Sequence, residues 1–245
     1  MSTKYFLLTK DNNDEISNNN NDQLFFINKS RSYILPFNNL NYYNSYGLFE
    51  NEIINWCRQF CSNQGVFLDI GAHTGTYSIS LADSCKKVYA FEPQLMTYYA
   101  LCGSVALSNL YNIKCVPLAL GSYDQVGKIS LNIRSNDGGG SSVCQLNPSE
   151  IISKEEIDIQ TLDTFWMNND ESISFIKLDV EYNELNVLKG GINTLIKNNY
   201  PTILFEANPD DDIKKNELIT FLEQTLSYKV VIINGTSNMF LAVKN

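Results

Sequence analysis

Five acids stand at or near the ends of short apolar runs: Asp69 in VFLDI, Glu92 after KVYAF, Asp179 and Glu181 in SFIKLDVE, and Glu206 in PTILFE. The chain's one histidine, His73, follows the first of them closely. A carboxylate so placed can accept from ligand hydroxyls, face a ligand cation, take a proton from a nucleophile or cap the next helix. Asp179, Glu181, His73 and Glu206 are the candidate general bases. Asp179 and Glu181 lead, because two carboxylates one residue apart at a strand end can divide positioning from proton removal. A single histidine excludes zinc sites built on several and leaves a Ser-His-Asp hydrolase no other base than His73. Asp179, Glu181 and Glu206 have the oxygen chemistry of a magnesium site, but no further motif supports one and no metal is assigned.

The turn after the first of these runs reads Leu68-Asp69-Ile70-Gly71-Ala72-His73-Thr74-Gly75. Gly71 would let backbone approach a ligand closely, and Gly75 would let the next helix pack tightly. The spacing is Asp-x-Gly-x-x-x-Gly, so neither the dinucleotide fingerprint nor a phosphate-binding P-loop is met. Glu92 suits two ribose hydroxyls, which donate to its two oxygens. Asp69 suits a ligand with cationic groups, such as the ammonium and sulfonium of S-adenosylmethionine; its other reading is a helix-capping carboxylate.

These residues need a scaffold. Strand-like runs at 66–70, 87–91, 113–118, 174–179, 201–206, 229–233 and 239–243 recur, with helical spacing at 75–83, 94–109, 183–197 and 213–226. Short, nearly all-apolar strands alternating with helices describe an α/β, doubly wound, mostly parallel seven-stranded sheet covered on both faces. Asn234-Gly235 is a hairpin signal, so the last two strands should pair antiparallel and close the sheet edge. Residues 1–60 read as an N-terminal extension: a polar Asn-rich loop over 11–22, short strands and a capping helix. Residues 61–245 read as the main domain. Between the third and fourth strands, Gly138-Gly139-Gly140-Ser141-Ser142 reads as a loop that closes over a ligand and excludes water. The cluster Tyr42, Tyr43, Tyr46, Trp56, Tyr98 and Tyr99 could stack on a sugar face or pack as core.

The 245 residues carry 18 Lys and Arg against 27 Asp and Glu, a formal charge of −9, and no Lys/Arg run. That balance argues against a binder of nucleic-acid phosphates. With 44% hydrophobic and 12% aromatic residues the chain is a folded globule. No apolar stretch reaches the roughly 18 residues of a membrane span. Six scattered cysteines without a Cys-x-x-Cys pair read as buried thiols in a reducing compartment, so the expectation is a soluble, cytoplasmic protein.

From about Val66 to Asn208 the sequence resembles the FkbM-like S-adenosylmethionine-dependent methyltransferases. The matching pieces are LDIGAHTG, VYAFEP, PLALGS, GGGSS, QTLDTF, IKLDVE, ELNVLKGG and PTILFE, in that order. One position departs: the family's Asp-Val-Glu-Gly-x-Glu reads Asp179-Val180-Glu181-Tyr182-Asn183-Glu184 here. The resemblance implies a class I methyltransferase (Rossmann-like) fold with S-adenosyl-L-methionine as cofactor. It places Asp69, Gly71, Ala72, His73 and Gly75 around the methionine part, with Glu92 and Pro93 at the ribose. Ala119, Leu120 and Gly121 fall near the adenine, Ser141 and Ser142 in the closing loop, and Asp179 by the transferred methyl. It further implies O-methylation of a sugar, nucleotide sugar or glycosylated metabolite; the N-terminal extension would cover the cofactor end or contribute to a homodimer. Two rivals stand beside it. A nicotinamide-dependent oxidoreductase lacks its glycine fingerprint and a Tyr-x-x-x-Lys pair, and a non-catalytic cofactor-binding subunit is kept open by Tyr182.

Overall fold

The computed structural model describes residues 4–12, 29–135, 139–207 and 211–244. In chain order the N-terminal part holds β1 (Tyr5–Asn12), β2 (Lys29–Pro36), α1 (Leu40–Tyr46) and α2 (Asn51–Cys57). Then come β3 (Val66–Ile70), α3 (Thr76–Leu81), β4 (Lys87–Phe91), α4 (Leu95–Leu107) and β5 (Ile113–Val116). The middle contains β6 (Ala119–Leu120), β7 (Gly127–Ile133), β8 (Ser153–Gln160) and α5 (Leu162–Trp166). Last are β9 (Ile173–Leu178), α6 (Glu184–Lys189), α7 (Ile192–Lys197), β10 (Thr202–Glu206), α8 (Asp212–Thr220), β11 (Tyr228–Ile232) and β12 (Met239–Lys244). Most of the polar tract 11–22, and Gly138 of the glycine loop, lie outside the described residues.

The main sheet has seven strands in the order β11-β12-β10-β9-β3-β4-β5. All its pairs are parallel except those made by β12, which is antiparallel to both β10 and β11. The expected antiparallel hairpin is therefore present, but β12 is inserted beside β10 and β11 forms the edge. The chain order runs outward from β3 through β4 to β5 and then returns to β9. That reversal makes the switch point between β3 and β9, where the carboxyl ends of neighbouring strands open a crevice.

Period-two alternation decides which residues face which layer. Val66, Leu68 and Ile70 join the cluster with Trp166, Leu188, Leu195 and Leu222, on the face covered by α5 to α8. Phe67 points the other way, to Ile54, Tyr77 and Leu81 of α2 and α3. Asp69 shares that second face, as does Lys177, its partner in the parallel register. A third cluster fastens β2 to α3 and α4 through Tyr33, Leu35, Ile79 and Leu101. The backbone N–H groups of Ser32 and Ile34 donate to the Ser108 and Ser104 hydroxyls of α4 at 2.9 and 2.8 Å.

Three local differences from the periodicity have clear causes. The third strand stops at Val116, since Pro117 has no N–H to give a ladder. The single helix expected over 183–197 is two, broken at Gly190-Gly191, where a Cβ on Gly190 would lie 2.0 Å from the Gly121 carbonyl oxygen. The stretch between the third and fourth main strands builds a three-stranded sheet, β6-β8-β7, with its own small core of Ala119, Leu131, Ile133, Ile157 and Ile159.

Candidate active site

At the switch point the backbone of the first turn is woven into its neighbours. Gly71 has φ +81°, and a Cβ there would sit 1.7 Å from the Asp179 carbonyl oxygen, so only glycine fits. The N–H groups of Gly71 and Ala72 donate to the Phe91 carbonyl at 3.1 and 2.8 Å, and Asp179 N–H donates to Ile70. Strands β3, β4 and β9 thus end in one hydrogen-bonded knot. At Gly75, φ +92°, a Cβ would meet Leu101 Cδ1 at 2.5 Å, which lets α3 pack close against α4.

Glu92 follows β4 and is buried, with its two oxygens oriented by backbone donors. His73 N–H reaches Oε2 at 3.0 Å and Gln94 N–H reaches Oε1 at 2.8 Å. Burial pushes its carboxyl up to about 7, against the pull of those two N–H groups. His73 itself has φ +51°, with Nδ1 3.4 Å from the Thr74 hydroxyl.

Asp69 takes the other side of the wall. Its Oδ2 accepts from Ser78 N–H at 3.0 Å and from the Ser78 hydroxyl, tying the first turn of α3 to β3. It is 1% exposed and is not among the residues that line the crevice. Beside it, Lys177 Nζ donates to Asp179 Oδ2 at 2.9 Å and to the Gly71 carbonyl at 3.0 Å. Burial alone would lower the lysine's proton affinity, but the charges of Asp179 and Asp69 outweigh it and hold the ammonium charged. Glu206 accepts from Asn238 Nδ2. Its carboxyl is raised by burial and then by the charges of Asp179 and Glu181.

Glu181 and Tyr182 form the turn after β9 with φ +54° and +76°. The Glu181 side chain accepts from Gly140 N–H at 3.1 Å, and its carbonyl accepts from the Ser142 hydroxyl. Burial raises the Glu181 carboxyl, and the neighbouring Asp179 charge raises it further. Glu184 folds back to accept from Val180 N–H at 3.0 Å, so it closes this turn. The loop carrying Ser141 and Ser142 lies across the site, with the Ser141 hydroxyl donating to Gln94 Oε1 at 3.0 Å.

These groups surround a cavity of about 300 Å³. Of the residues singled out in the sequence, Gly71, Ala72, His73, Glu92, Pro93, Ala119, Leu120, Ser141, Asp179 and Glu181 line it. Asp69, Gly75, Gly121, Ser142 and Glu206 do not. Among the aromatic candidates Tyr43 lines it, joined by Phe49. Tyr182 lines a separate cavity with Cys144, and Lys214 Nζ stands 4.8 Å from its ring centre.

The family model of the methyltransferase FkbM domain matches residues 69–230, from the first acid of the site to the edge strand. The chain belongs to the FkbM methyltransferase family. Among solved structures, a precorrin-6y C5,15-methyltransferase from Geobacter metallireducens superposes with a TM-score of 0.50 at 12% identity, covering 81% of this chain and 90% of that one. A Staphylococcus aureus protein assigned as a caffeoyl-CoA O-methyltransferase gives 0.52 at 10% identity, covering 85% and 90%. At such identities the likeness is one of fold, the class I methyltransferase fold. No curated protein sequence matches the chain.

S-adenosyl-L-methionine is the cofactor of this FkbM domain, which replaces the nicotinamide alternative. The site fits it: the crevice is lined by the acids Glu50, Glu92, Asp179 and Glu181 against one lysine, a balance that favours a cationic ligand. Glu92 retains lone pairs for hydroxyls beyond the two N–H groups that orient it.

Among the lining residues not singled out in the sequence are Lys177, Tyr77 and Glu50. Lys177 lies inside IKLDVE and alternates with Asp179, so the period of two would have put both on one face. Tyr77 and Glu50 left no such signal. They meet only through the fold, the Tyr77 hydroxyl donating to Glu50 Oε2 at 2.6 Å.

Proposed function

We propose that this protein transfers the cofactor's methyl group to a hydroxyl oxygen of an uncharged, sugar-like acceptor, with Glu181 as the general base. The observation that carries the reading is the pair Asp179 and Glu181, both lining the crevice at the carboxyl end of β9. When bound, S-adenosyl-L-methionine supplies an electrophilic methyl group on its sulfonium. Gly71, Ala72, His73 and Asp179 would hold its methionine part, Glu92 and Pro93 the ribose, and Ala119 and Leu120 the adenine. Asp69, Gly75, Gly121 and Ser142 act from behind the wall by fixing the elements that form it.

Glu181 is the better base of the two acids. A raised carboxyl is the stronger proton acceptor, and burial and the Asp179 charge raise it. Asp179, gripped by Lys177, orients the acceptor hydroxyl, while Glu206 stands outside the crevice lining. Tyr43 and Phe49 give the crevice an aromatic wall suited to the apolar side of a sugar. Acidic lining disfavours phosphate, which supports a small uncharged acceptor over nucleic acid or a nucleotide sugar. Among the described residues no helix is long and apolar enough to cross a membrane.

The test is methyl incorporation from labelled cofactor into a panel of methyl glycosides, the matching sugar phosphates and an oligoribonucleotide. Labelled methyl ether on a glycoside is the expected result, and Glu181→Gln should lower that rate about a hundred- to ten-thousandfold while cofactor affinity stays. Label only in the sugar phosphates or the RNA, or a Glu181→Gln enzyme as fast as wild type, would overturn the reading.

A further inference from the structure

We infer that Glu50, on the N-terminal segment outside the family-matched span, binds the α-ammonium of the cofactor's methionine part, and that Tyr77 holds it in place. The inference rests on the assignment of S-adenosyl-L-methionine as cofactor and concerns a residue that the family match, residues 69–230, does not include.

Charge balance at that end of the crevice leads to Glu50. Asp69 gives Oδ2 to Ser78, and although its buried Oδ1 has no hydrogen-bond partner, the residue lies behind the wall and does not line the crevice. Asp179 is paired with Lys177 at 2.9 Å, and the lysine's second contact is the Gly71 carbonyl in the glycine turn. Glu181 is engaged by Gly140 on the side of the serine loop. Of the groups lining that end of the crevice, Glu50 and Asp179 set two carboxylates against the single ammonium of Lys177, which also feels the Asp69 charge from behind the wall, so the lysine does not compensate the acids. A ligand ammonium completes the balance, and an N⁺–H···O⁻ bond is about twice as strong as a neutral one.

The local geometry singles out the same side chain. Glu50 occupies the N-cap of α2, yet its side chain makes no capping hydrogen bond, although that is the common use of a polar group in this position. Its φ of +55° is a left-handed conformation that costs a non-glycine residue roughly 1–2 kcal/mol. The carboxylate is instead turned into the crevice, exposed, with Oε2 accepting from Tyr77. Tyr77 is 4% exposed and stands on the first turn of α3, directly after the glycine turn, with Lys177 Nζ 5.4 Å from its ring centre. A buried phenol donates and keeps its proton; burial and then the Glu50 charge hold it there. The hydroxyl therefore fixes Glu50 as an acceptor in the crevice that Gly71 and His73 also line.

Calorimetric titration with S-adenosylhomocysteine and with its des-amino analogue tests this without turnover. Wild type should prefer the amino form by about ten- to a hundredfold, the scale of a charged hydrogen bond. Glu50→Gln keeps an oxygen for the Tyr77 hydroxyl but removes the charge, and should erase that preference by weakening S-adenosylhomocysteine alone. Glu50→Asp should recover part of it, and Tyr77→Phe, which leaves the charge, should lose only part. Equal affinity of wild type for the two ligands would overturn the inference without needing a variant, as would a full preference surviving in Glu50→Gln. Wild type that binds neither would instead overturn the cofactor assignment on which the inference rests.

Discussion

Two strand-to-helix turns lie side by side at the head of the crevice, and they solve the same backbone problem by different means. The turn after β3 takes φ values of +81°, +51° and +92° at Gly71, His73 and Gly75. The turn after β9 takes +54° and +76° at Glu181 and Tyr182, with no glycine at all. In the first, glycine is required by space, because the Asp179 carbonyl and the Leu101 side chain occupy the volume a Cβ would need. In the second there is room, and the conformation is held by polar contacts. The Ser142 hydroxyl and Cys144 Sγ take the carbonyls of Glu181 and Tyr182, and Glu184 takes Val180 N–H. A turn fixed by sterics tolerates no side chain. One fixed by hydrogen bonds leaves its side chains free for function, which is how Glu181 comes to face the crevice while Tyr182 faces away.

The sharpest way to break this contrast is Gly71→Ala. A methyl group 1.7 Å from a carbonyl oxygen cannot be accommodated without parting β3 from β9. A loss of about 3 kcal/mol or more in urea unfolding is the expected result, or failure to accumulate folded protein. A variant within about 1 kcal/mol of wild type would show that the two strand ends can separate freely, and the steric account of this turn would fall.

Much of this was legible in the sequence because it follows from local rules. Short, nearly all-apolar runs marked the seven strands of the main sheet, and Asn234-Gly235 marked the final hairpin. The glycine spacing of 71–75 marked the turn that ends at Gly75, the N-cap of α3. Where long-range packing decided, local pattern was silent. Gly190-Gly191 reads as a tolerated pair inside a helix until Gly121 is brought against it. The order β10-β12-β11 cannot be read from a hairpin signal, which says that two strands pair but not which one lies inward. Asp69 had two readings, ligand acid and helix cap, and its contact with Ser78 depends on which face of β3 it takes. Glu50 and Tyr77 lie far apart in the chain and belong to no shared motif, so only the packing of α2 on α3 joins them.

A smaller effect separates the two turns by pH. Glu92 braces the first and Glu184 the second, and burial lifts both carboxyls to about 7 from the ordinary 4.5. Between those values the folded chain holds protons that the unfolded chain has released. Their contribution to stability is therefore full below about pH 4.5 and is lost as pH rises through 7. Unfolding free energy should fall by roughly 2 kcal/mol or more between pH 5 and 8. Glu184→Gln, which is neutral throughout, should flatten part of that slope, and Glu92→Gln another part. A slope unchanged in both variants would mean that neither carboxyl holds its proton in the folded state.

The smallest effect belongs to Tyr182→Gly, the substitution that restores the family's own residue. Glycine removes the left-handed penalty, roughly 1–2 kcal/mol. Against that it forfeits the ring's contact with Lys214, about 0.5–1 kcal/mol at an exposed site, and frees the unfolded chain by about as much again. The terms oppose, so stability should stay within about 1 kcal/mol of wild type, in contrast to the reverse exchange at Gly71. Because the ring lines the cavity with Cys144 rather than the crevice, affinity for S-adenosylhomocysteine should not change either. Loss of cofactor binding in this variant would mean that Tyr182 shapes the turn around Glu181 through its bulk, and the two turns would then be steric devices alike.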